Sequence, residues 1–199
     1  VNKEFVYDLK RGRFTKFKKT KTPSNLRISE EGVIHWIPLV TQLGLNKITI
    51  EAVENKEGFR INLDVYVNAP PIISYAPDEI EYILKDEQFD FQLQNFDQNE
   101  EQQLFWSFLQ QPENMELNAQ SKLNFIGKKL DFSDYTIQLS DTIDVDVFRG
   151  KIYVNEKPKI TSFPPNHINL GSTLEYFINV EDGNQINPLN KKKEKHIKT

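Results

Sequence analysis

The densest group of aspartates in the sequence is a run in which Asp141, Asp144 and Asp146 lie within six positions. Calcium in proteins is bound by about six to eight oxygen atoms from carboxylates, amide side chains and backbone carbonyls. No metal and no cofactor is predicted for the chain, and the three aspartates are the candidate ligands if calcium binds. The alternative is a solvated strand face, because Asp144 and Asp146 share one side of an extended chain and Val145 and Val147 share the other.

A second group of residues that could bind a ligand is basic and lies near the N-terminus. Its charges suit an anionic polymer or surface, and Phe14 and Phe17 lie among them, where they could stack on nucleic-acid bases. The alternative is a loop between two strands. The chain has 25 Lys and Arg against 29 Asp and Glu, and this net charge of −4 argues against a nucleic-acid partner. The candidate binding residues are Lys10, Arg11, Arg13, Lys16, Lys18 and Lys19.

The sequence contains no arrangement of residues typical of a catalytic site. The three histidines, His35, His167 and His196, do not have the spacing of metal ligands, and no Gly-x-Ser-x-Gly motif or glycine-rich phosphate loop is present. The absence of cysteine excludes a disulfide framework, a thiolate metal site and a cysteine nucleophile. The sequence therefore predicts a protein that is not an enzyme.

The length of 199 residues is enough for one large or two small domains. No apolar run approaches the roughly 18 residues that a transmembrane helix needs, so no transmembrane segment is expected in this sequence.

A repeat of two to three units organises the chain. At an offset of 89 residues, Ile34-His35-Trp36 matches Leu123-Asn124-Phe125, and Ile48-Thr49-Ile50 matches Ile137-Gln138-Leu139. At an offset of 87 residues, Val65-Tyr66-Val67-Asn68 matches Ile152-Tyr153-Val154-Asn155, and Pro71 matches Pro158. Matches in register over most of a unit indicate tandem copies of one structural element.

Each matched block alternates apolar and polar residues, which is the period of a half-buried strand. Turn residues separate the blocks, and short strands at this spacing in units of fewer than about 100 residues are typical of a β-sandwich. We therefore predict an all-β chain of tandem β-sandwiches, with residues 104–108 as a strand. The predicted core side chains are Ile34, Trp36, Ile48, Ile50, Val65, Val67, Phe89, Phe91, Leu93, Trp106, Leu123, Phe125, Ile137 and Leu139.

Two acidic turns occupy equivalent places in successive units. Asp97 and Asn99 follow the aromatic strand of one unit, and Asp182 and Asn184 follow the matching strand of the next. Asp and Asn in such loops commonly bond their own backbone two residues on, and this predicts Asx-type turns at both places.

The motifs resemble those of the bacterial cadherin-like and Ig-like tandem repeats, the dystroglycan-type cadherin-like group. The resemblance rests on Gly32-Val33-Ile34-His35-Trp36-Ile37-Pro38, Gly44, Ile48-Thr49-Ile50-Glu51-Ala52 and Val65-Tyr66-Val67. The next unit departs from this pattern, with Phe125 in place of the tryptophan and Gly127 in place of Pro38. The resemblance implies Ig-like or cadherin-like sandwiches in a surface or secreted multidomain protein with adhesive, scaffolding or accessory roles.

Comparison of the units predicts three domains. Residues 1–69 form a sandwich that lacks its first two strands, because residues 5–9 align with residues 105–109 in the third strand of a unit. Residues 70–157 form a complete sandwich, and residues 158–199 supply the first two strands of a third repeat and a charged tail. Two interpretations stay open: a piece of a longer repeat array, or half-domains that complete one another head-to-tail between molecules.

These observations favour a non-catalytic structural or adhesive module of an extracellular, cell-surface or periplasmic repeat protein, acting by spacing and docking. Its expected partners are other proteins or neighbouring repeats. One alternative is a carbohydrate-binding or accessory module beside an enzyme, for which Tyr7, Tyr66, Tyr75 and Tyr153 could form a sugar platform. The other is a structural protein that assembles head-to-tail by strand addition.

Overall fold

The computed structural model describes residues 3–9, 14 and 16–184. The described chain is all-β, with one short 3₁₀ turn at Val40–Gln42. Its contacts divide it into two compact units. The first comprises Val1–Ile72, Phe96–Phe105 and Ser140–Val145, and the second comprises Ile73–Asn95, Trp106–Leu139 and Asp146–Thr199. The boundaries inferred from the repeat, at residues 69/70 and 157/158, stay predictions.

Two antiparallel sheets form the first unit. Its strands are β1 (Phe5–Asp8), β2 (Lys16–Lys21), β3 (Arg27–Ile28), β4 (Val33–Trp36), β5 (Gly44–Glu54) and β6 (Glu57–Val67). One sheet has the order β1–β4–β3 and the other the order β2–β5–β6. Because apolar residues alternate along β4 and β5, Ile34, Trp36, Ile48 and Ile50 all enter one core, where each is at most 1% exposed.

The second unit contains most of the remaining strands. They are β7 (Ile72–Tyr75), β8 (Ile80–Leu84), β9 (Gln88–Gln92), β10 (Gln94–Phe96), β11 (Phe105–Gln110), β12 (Met115–Leu117), β13 (Lys122–Ile126), β14 (Asp131–Ser140), β15 (Val145–Asn155), β16 (Lys159–Ile160) and β17 (Val180–Glu181). The larger sheets have the orders β11–β14–β15–β8 and β12–β13–β9. Strand β8 runs parallel to β15, with Ile83 opposite Val154. Their side chains join Leu123, Phe125 and Ile137 in one core.

The predicted core side chains fall into two groups. Ten of them are at most 6% exposed: Ile34, Trp36, Ile48, Ile50, Val67, Leu93, Leu123, Phe125, Ile137 and Leu139. The other four are partly buried and pack against the two cores: Val65, Phe89, Phe91 and Trp106.

The strand pairing corrects the alignment of residues 5–9. Strand β1 pairs with β4 so that Phe5 lies opposite Trp36 and Tyr7 opposite Ile34. Strand β9 pairs with β13 in the same way, with Phe89 opposite Phe125 and Phe91 opposite Leu123. Residues 5–9 therefore correspond to the aromatic strand β9, and their alignment with residues 105–109 is wrong. The counterpart of β11 is instead β2, the edge strand beside β5. Part of the basic stretch is therefore a strand and not a loop.

The tight hairpin between β5 and β6 offers a test of local backbone strain. Its two loop residues, Asn55 and Lys56, have φ angles of 50° and 71°, as in a type I′ turn, whose second position favours glycine. Lys56→Gly is expected to raise the free energy of unfolding by about 0.5 kcal/mol, because relief of left-handed strain exceeds the added entropy of the unfolded chain. Urea unfolding measures this change in the free energy of unfolding. Glu57→Gly, in the adjoining strand, is the control and should destabilise the fold. A lower stability of Lys56→Gly would refute the strain argument.

Candidate functional site

A buried asparagine follows strand β10 and holds the chain just after β6. The backbone N–H of Asn99 donates to Asp97 Oδ1 at 2.7 Å, which makes the predicted Asx turn. The Asn99 side chain is only 5% exposed. Its Oδ1 accepts from the Ala69 N–H at 2.8 Å, and its Nδ2 donates to the Val67 carbonyl at 3.0 Å. Within the first unit, one side chain thus bonds two backbone groups, one at the last residue of β6 and one just after it.

The second unit repeats this arrangement around Asn184. The Asn184 N–H donates to Asp182 Oδ1 at 3.0 Å. Its side-chain Oδ1 accepts from the Glu156 N–H at 2.7 Å, and its Nδ2 donates to the Val154 carbonyl at 2.8 Å. We call the two arrangements, Asn99 with residues 67–69 and Asn184 with residues 154–156, the asparagine clamps. The same bonds in successive repeats indicate that the clamp belongs to the repeat itself.

Asn68, inside the first clamped segment, bonds two of the three candidate calcium ligands. Its Nδ2 donates to Asp141 Oδ2 at 2.8 Å and to Asp144 Oδ2 at 3.2 Å. The third candidate, Asp146, accepts instead from the Ile73 N–H at 2.8 Å. Within the described ranges, no group of three or more His, Asp or Glu side chains is placed to hold a metal ion. An uncharged amide therefore lies where two carboxylates converge.

The pKa of Asp141 makes this cluster sensitive to acid. Burial would raise the pKa of the Asp141 carboxyl, but hydrogen bonds from the Asp144 backbone, the Asn68 side chain and the Ile143 backbone outweigh burial, and the pKa is lowered. The Ile143 and Asp144 N–H groups both donate to Asp141 Oδ1, at 2.7 and 2.6 Å. The ionised carboxylate is thus the form that stabilises the fold.

Asp141 should therefore contribute stability at neutral pH that is lost in acid. A carboxyl with a lowered pKa in the folded state stabilises above its unfolded pKa of about 3.9, and this contribution disappears as the pH falls through the folded value. Thermal unfolding from pH 7 to pH 2 should show Asp141→Asn less stable than the parent at pH 7, with the gap narrowing below about pH 4. A gap that does not change with pH would contradict this role.

The basic stretch is divided between the two faces of sheet β2–β5–β6. Lys16 and Lys18 lie opposite Val53 and Glu51, on the outer face. Lys19 lies opposite the buried Ile50, and its Nζ donates to the Leu26 carbonyl at 3.0 Å. Of the other predicted binding residues, Lys10, Arg11 and Arg13 lie outside the described residues.

The aromatic residues of the basic stretch pack against the protein. The rings of Phe14 and Phe17 are 6.0 Å apart, and Phe14 also lies 5.9 Å from Phe59. Phe17 lies opposite the buried Ala52 and packs against the core of the first unit. These rings therefore lie away from the outer lysines, which differs from the stacking arrangement considered for nucleic-acid bases.

The four tyrosines considered as a sugar platform have different surroundings. Tyr66 is 43% exposed, whereas its repeat counterpart Tyr153 is 3% exposed and packs 5.0 Å from Phe132. Tyr7 stacks on Phe5 at 6.2 Å, and Tyr75 lies 5.1 Å from Phe91. The repeat therefore does not present a matched pair of exposed rings at Tyr66 and Tyr153.

The described histidines lie on the surface and bond neighbouring polar groups. His35 Nδ1 is 2.9 Å from Glu4 Oε1, and His167 Nδ1 is 2.7 Å from Asn166 Oδ1. His196 lies outside the described residues. The hydrogen-bond partners of the two described histidines are thus a carboxylate and an amide, and the geometry is that of exposed polar pairs.

Comparison with known proteins places the fold among tandem immunoglobulin-like domains. No family model and no curated protein matches the sequence. Extracellular domains 3–5 of Drosophila OTK match at a TM-score of 0.50 and 10% identity over 71% of this chain, which covers 51% of that structure. Three Ig domains of titin, I67–I69 in an E-to-A variant, match at 0.46 and 14% identity, covering 81% of this chain and 58% of that one. The chain thus spans about half the length of these structures, and the similarity to the OTK domains shows the fold.

An enzyme structure is also among the matches. An H294Q variant of the endo-fucoidan hydrolase MfFcnA4, of glycoside hydrolase family 107, matches at a TM-score of 0.35 and 16% identity, covering 78% of this chain and 26% of that one.

None of the helical structure in the described ranges has the length and apolar character of a membrane span.

Proposed function

We propose that the chain is a non-catalytic structural or adhesive module of an extracellular or cell-surface repeat protein, and that it acts by spacing and docking. The observation that carries the proposal is the asparagine clamp. In each repeat an asparagine at the same place binds backbone groups at the end of the last strand, so these polar side chains hold backbone segments and do not form a reaction centre.

Two further observations support this role. The matched OTK domains are extracellular and arranged in tandem, and fold similarity of this kind raises the expectation of an interaction role without fixing it. In addition, the polar clusters of the described residues are engaged in turns and backbone bonds, as at Asp97, Asp141 and Asp182. These clusters do not combine a nucleophile with a base and a group that orients the base, as a catalytic site would.

The location and size of the native protein test this proposal. Antibodies against the 199-residue chain should detect, in the source organism, a protein well above 23.3 kDa that an external protease removes from intact cells. A cytoplasmic protein, resistant to the protease until the cells are lysed, would contradict the proposal. A cytoplasmic marker protein that stays intact during the digestion is the control for lysis.

Strand addition between molecules is a second candidate, favoured by the outer edge of β6. In the second unit, β8 covers β15 in parallel, and Ile152 is fully buried. In the first unit, β6 is the last strand of its sheet among the described residues, and Val65, the counterpart of Ile152, is only partly buried. The segment around the fully exposed Leu170 occupies the position of β8 in the third repeat, and strand addition would place it along this edge in a second molecule.

Sedimentation velocity tests this candidate directly. Head-to-tail addition predicts a mass that rises with concentration, and Leu170→Asp should abolish the rise while leaving the monomer folded. A chain that stays monomeric at all concentrations would exclude strand addition and leave the structural proposal untouched.

A further inference from the structure

The outer face of sheet β2–β5–β6 carries a row of lysines that the strand geometry keeps together. A register shift between Lys19 and Lys21 inserts Thr20 as an extra residue, so that Lys21 lies opposite Thr49. Thr49 is on the outer face, because Ile48 and Ile50 on either side of it are buried. The bulge therefore returns Lys21 to the outer side that already holds Lys16 and Lys18.

Two more basic side chains extend this surface beyond the edge strand. Lys47 lies on β5, and Arg60 lies on β6 opposite Glu51. We call Lys16, Lys18, Lys21, Lys47 and Arg60 the basic face. The acidic residues on the same outer side are Glu51 and Asp64, and none of the ion pairs within the described ranges neutralises a member of the basic face. The face therefore has a net positive charge.

The repeat shows that this charge is not needed to build the sheet. The equivalent strand β11 carries only uncharged residues at its exposed positions, which are Phe105, Ser107, Leu109 and Gln110. Lysines on an edge strand also discourage unwanted strand pairing. That explanation covers β2 alone, since Lys47 and Arg60 lie on the other two strands of the sheet.

Within residues 1–184, the charge distribution directs an anionic ligand to this region. Residues 1–72 contain twelve basic and eight acidic residues, residues 73–184 contain eight basic and twenty acidic ones, and residues 185–199, which lie outside the described residues, contain five basic and one acidic. A polyanion is therefore attracted by the first segment and repelled by the second.

The chemistry of the face fits an acidic polysaccharide better than a nucleic acid. Alternate residues on one side of a strand are about 7 Å apart, so Lys16 and Lys18 can meet successive acidic groups along an extended polymer. In the middle of the face, Thr49 Oγ1 donates to Asn62 Oδ1 at 3.0 Å, and this pairing leaves the Asn62 amide hydrogens available for sugar oxygens. Base stacking needs exposed rings beside the charges, but Phe14 and Phe17 pack against the protein.

We propose that the basic face is a binding site for a carboxylated or sulfated polysaccharide. The lysine row supplies the charge that meets the acidic groups, and the Thr49–Asn62 pair supplies hydrogen bonds to sugar hydroxyls. The site shares no residue with the asparagine clamps, so its failure would leave the proposed structural role standing.

The test compares two triple variants with the same loss of charge. Lys16→Gln, Lys18→Gln and Lys21→Gln remove the lysine row, and Lys85→Gln, Lys128→Gln and Lys151→Gln remove three exposed lysines of the second unit. Calorimetry of the full chain at about 50 mM salt uses heparin, polygalacturonate, neutral dextran and single-stranded poly-dT as probes. Circular dichroism checks that both variants are folded.

The proposal predicts that the parent binds heparin, polygalacturonate or both, and that it does not bind dextran. Comparison of the two acidic probes shows whether the ligand is sulfated or carboxylated. The first triple variant should bind the acidic polysaccharide at least tenfold more weakly, and the second should stay within twofold of the parent. The proposal is overturned if the parent binds neither acidic probe, if both triple variants lose affinity equally, or if poly-dT binds as tightly as the polysaccharides.

Discussion

Replacing Asn99 by alanine is expected to lower the free energy of unfolding by about 2–4 kcal/mol, because two buried backbone groups lose their partner and each unsatisfied group costs about 1–3 kcal/mol. The groups are the Ala69 N–H and the Val67 carbonyl, at 2.8 and 3.0 Å from the Asn99 side chain. The low exposure of Asn99, 5%, limits how well water can replace these bonds.

Chemical unfolding with two control variants measures this effect. Gln98→Ala, at the exposed neighbouring position, should change stability by less than about 0.5 kcal/mol. Asn184→Ala removes the equivalent clamp at a more exposed position and should cost less than Asn99→Ala. An Asn99→Ala variant as stable as Gln98→Ala would show that the clamp does not stabilise the fold.

Asn68→Asp is expected to be the second strongly destabilising change and to lower the free energy of unfolding by about 2–4 kcal/mol at pH 7. The loss has two causes: a charge-assisted hydrogen bond disappears, and the new carboxylate repels its two neighbours. The Asn68 amide lies 2.8 Å from Asp141 Oδ2 and 3.2 Å from Asp144 Oδ2. A carboxylate at that place would set three like charges together in a partly buried site.

The origin of this loss can be identified by pH and calcium. Repulsion raises the pKa of carboxyls in the folded variant, so the destabilisation should appear as the pH rises through those values and vanish in acid. Calcium should restore part of the stability of Asn68→Asp, because three converging carboxylates supply oxygen ligands that the parent lacks. Asn155→Asp, at the matching position of the next repeat, is the control, with little loss expected. If Asn68→Asp were as stable as this control, the bonds from Asn68 would not be important for folding.

The sequence predicts the strands well, because their signal is local. Alternation along residues 48–52 and 137–139 is enough to choose the buried face of a strand, and the repeat supplies the order of the strands. The misalignment of residues 5–9 had a different origin. Apolar alternation fits several strands equally well, and only the pairing of Phe5 with Trp36 and Tyr7 with Ile34 selects the match to Phe89 and Phe91.

The polar sites could be predicted only in part. The Asx turns at Asp97 and Asp182 follow from residue types two positions apart, but the Asn99 side chain bonds residues 30 and 32 positions away, and local patterns do not report such contacts. The Asp-x-Asn motif at equivalent places of the repeat was the available signal. The outer position of Lys21 depends on a bulge. Strict alternation from Lys16 and Lys18 would have placed Lys21 on the inner face.

Backbone amide exchange of Ala69 and Glu156 tests most directly the central claim that an asparagine side chain holds the chain in each repeat. Nuclear magnetic resonance should show slow exchange at both N–H groups, with Asn99→Ala releasing Ala69 alone and Asn184→Ala releasing Glu156 alone. Exchange at both positions as fast as in an exposed loop, or unchanged by the two substitutions, would contradict the account.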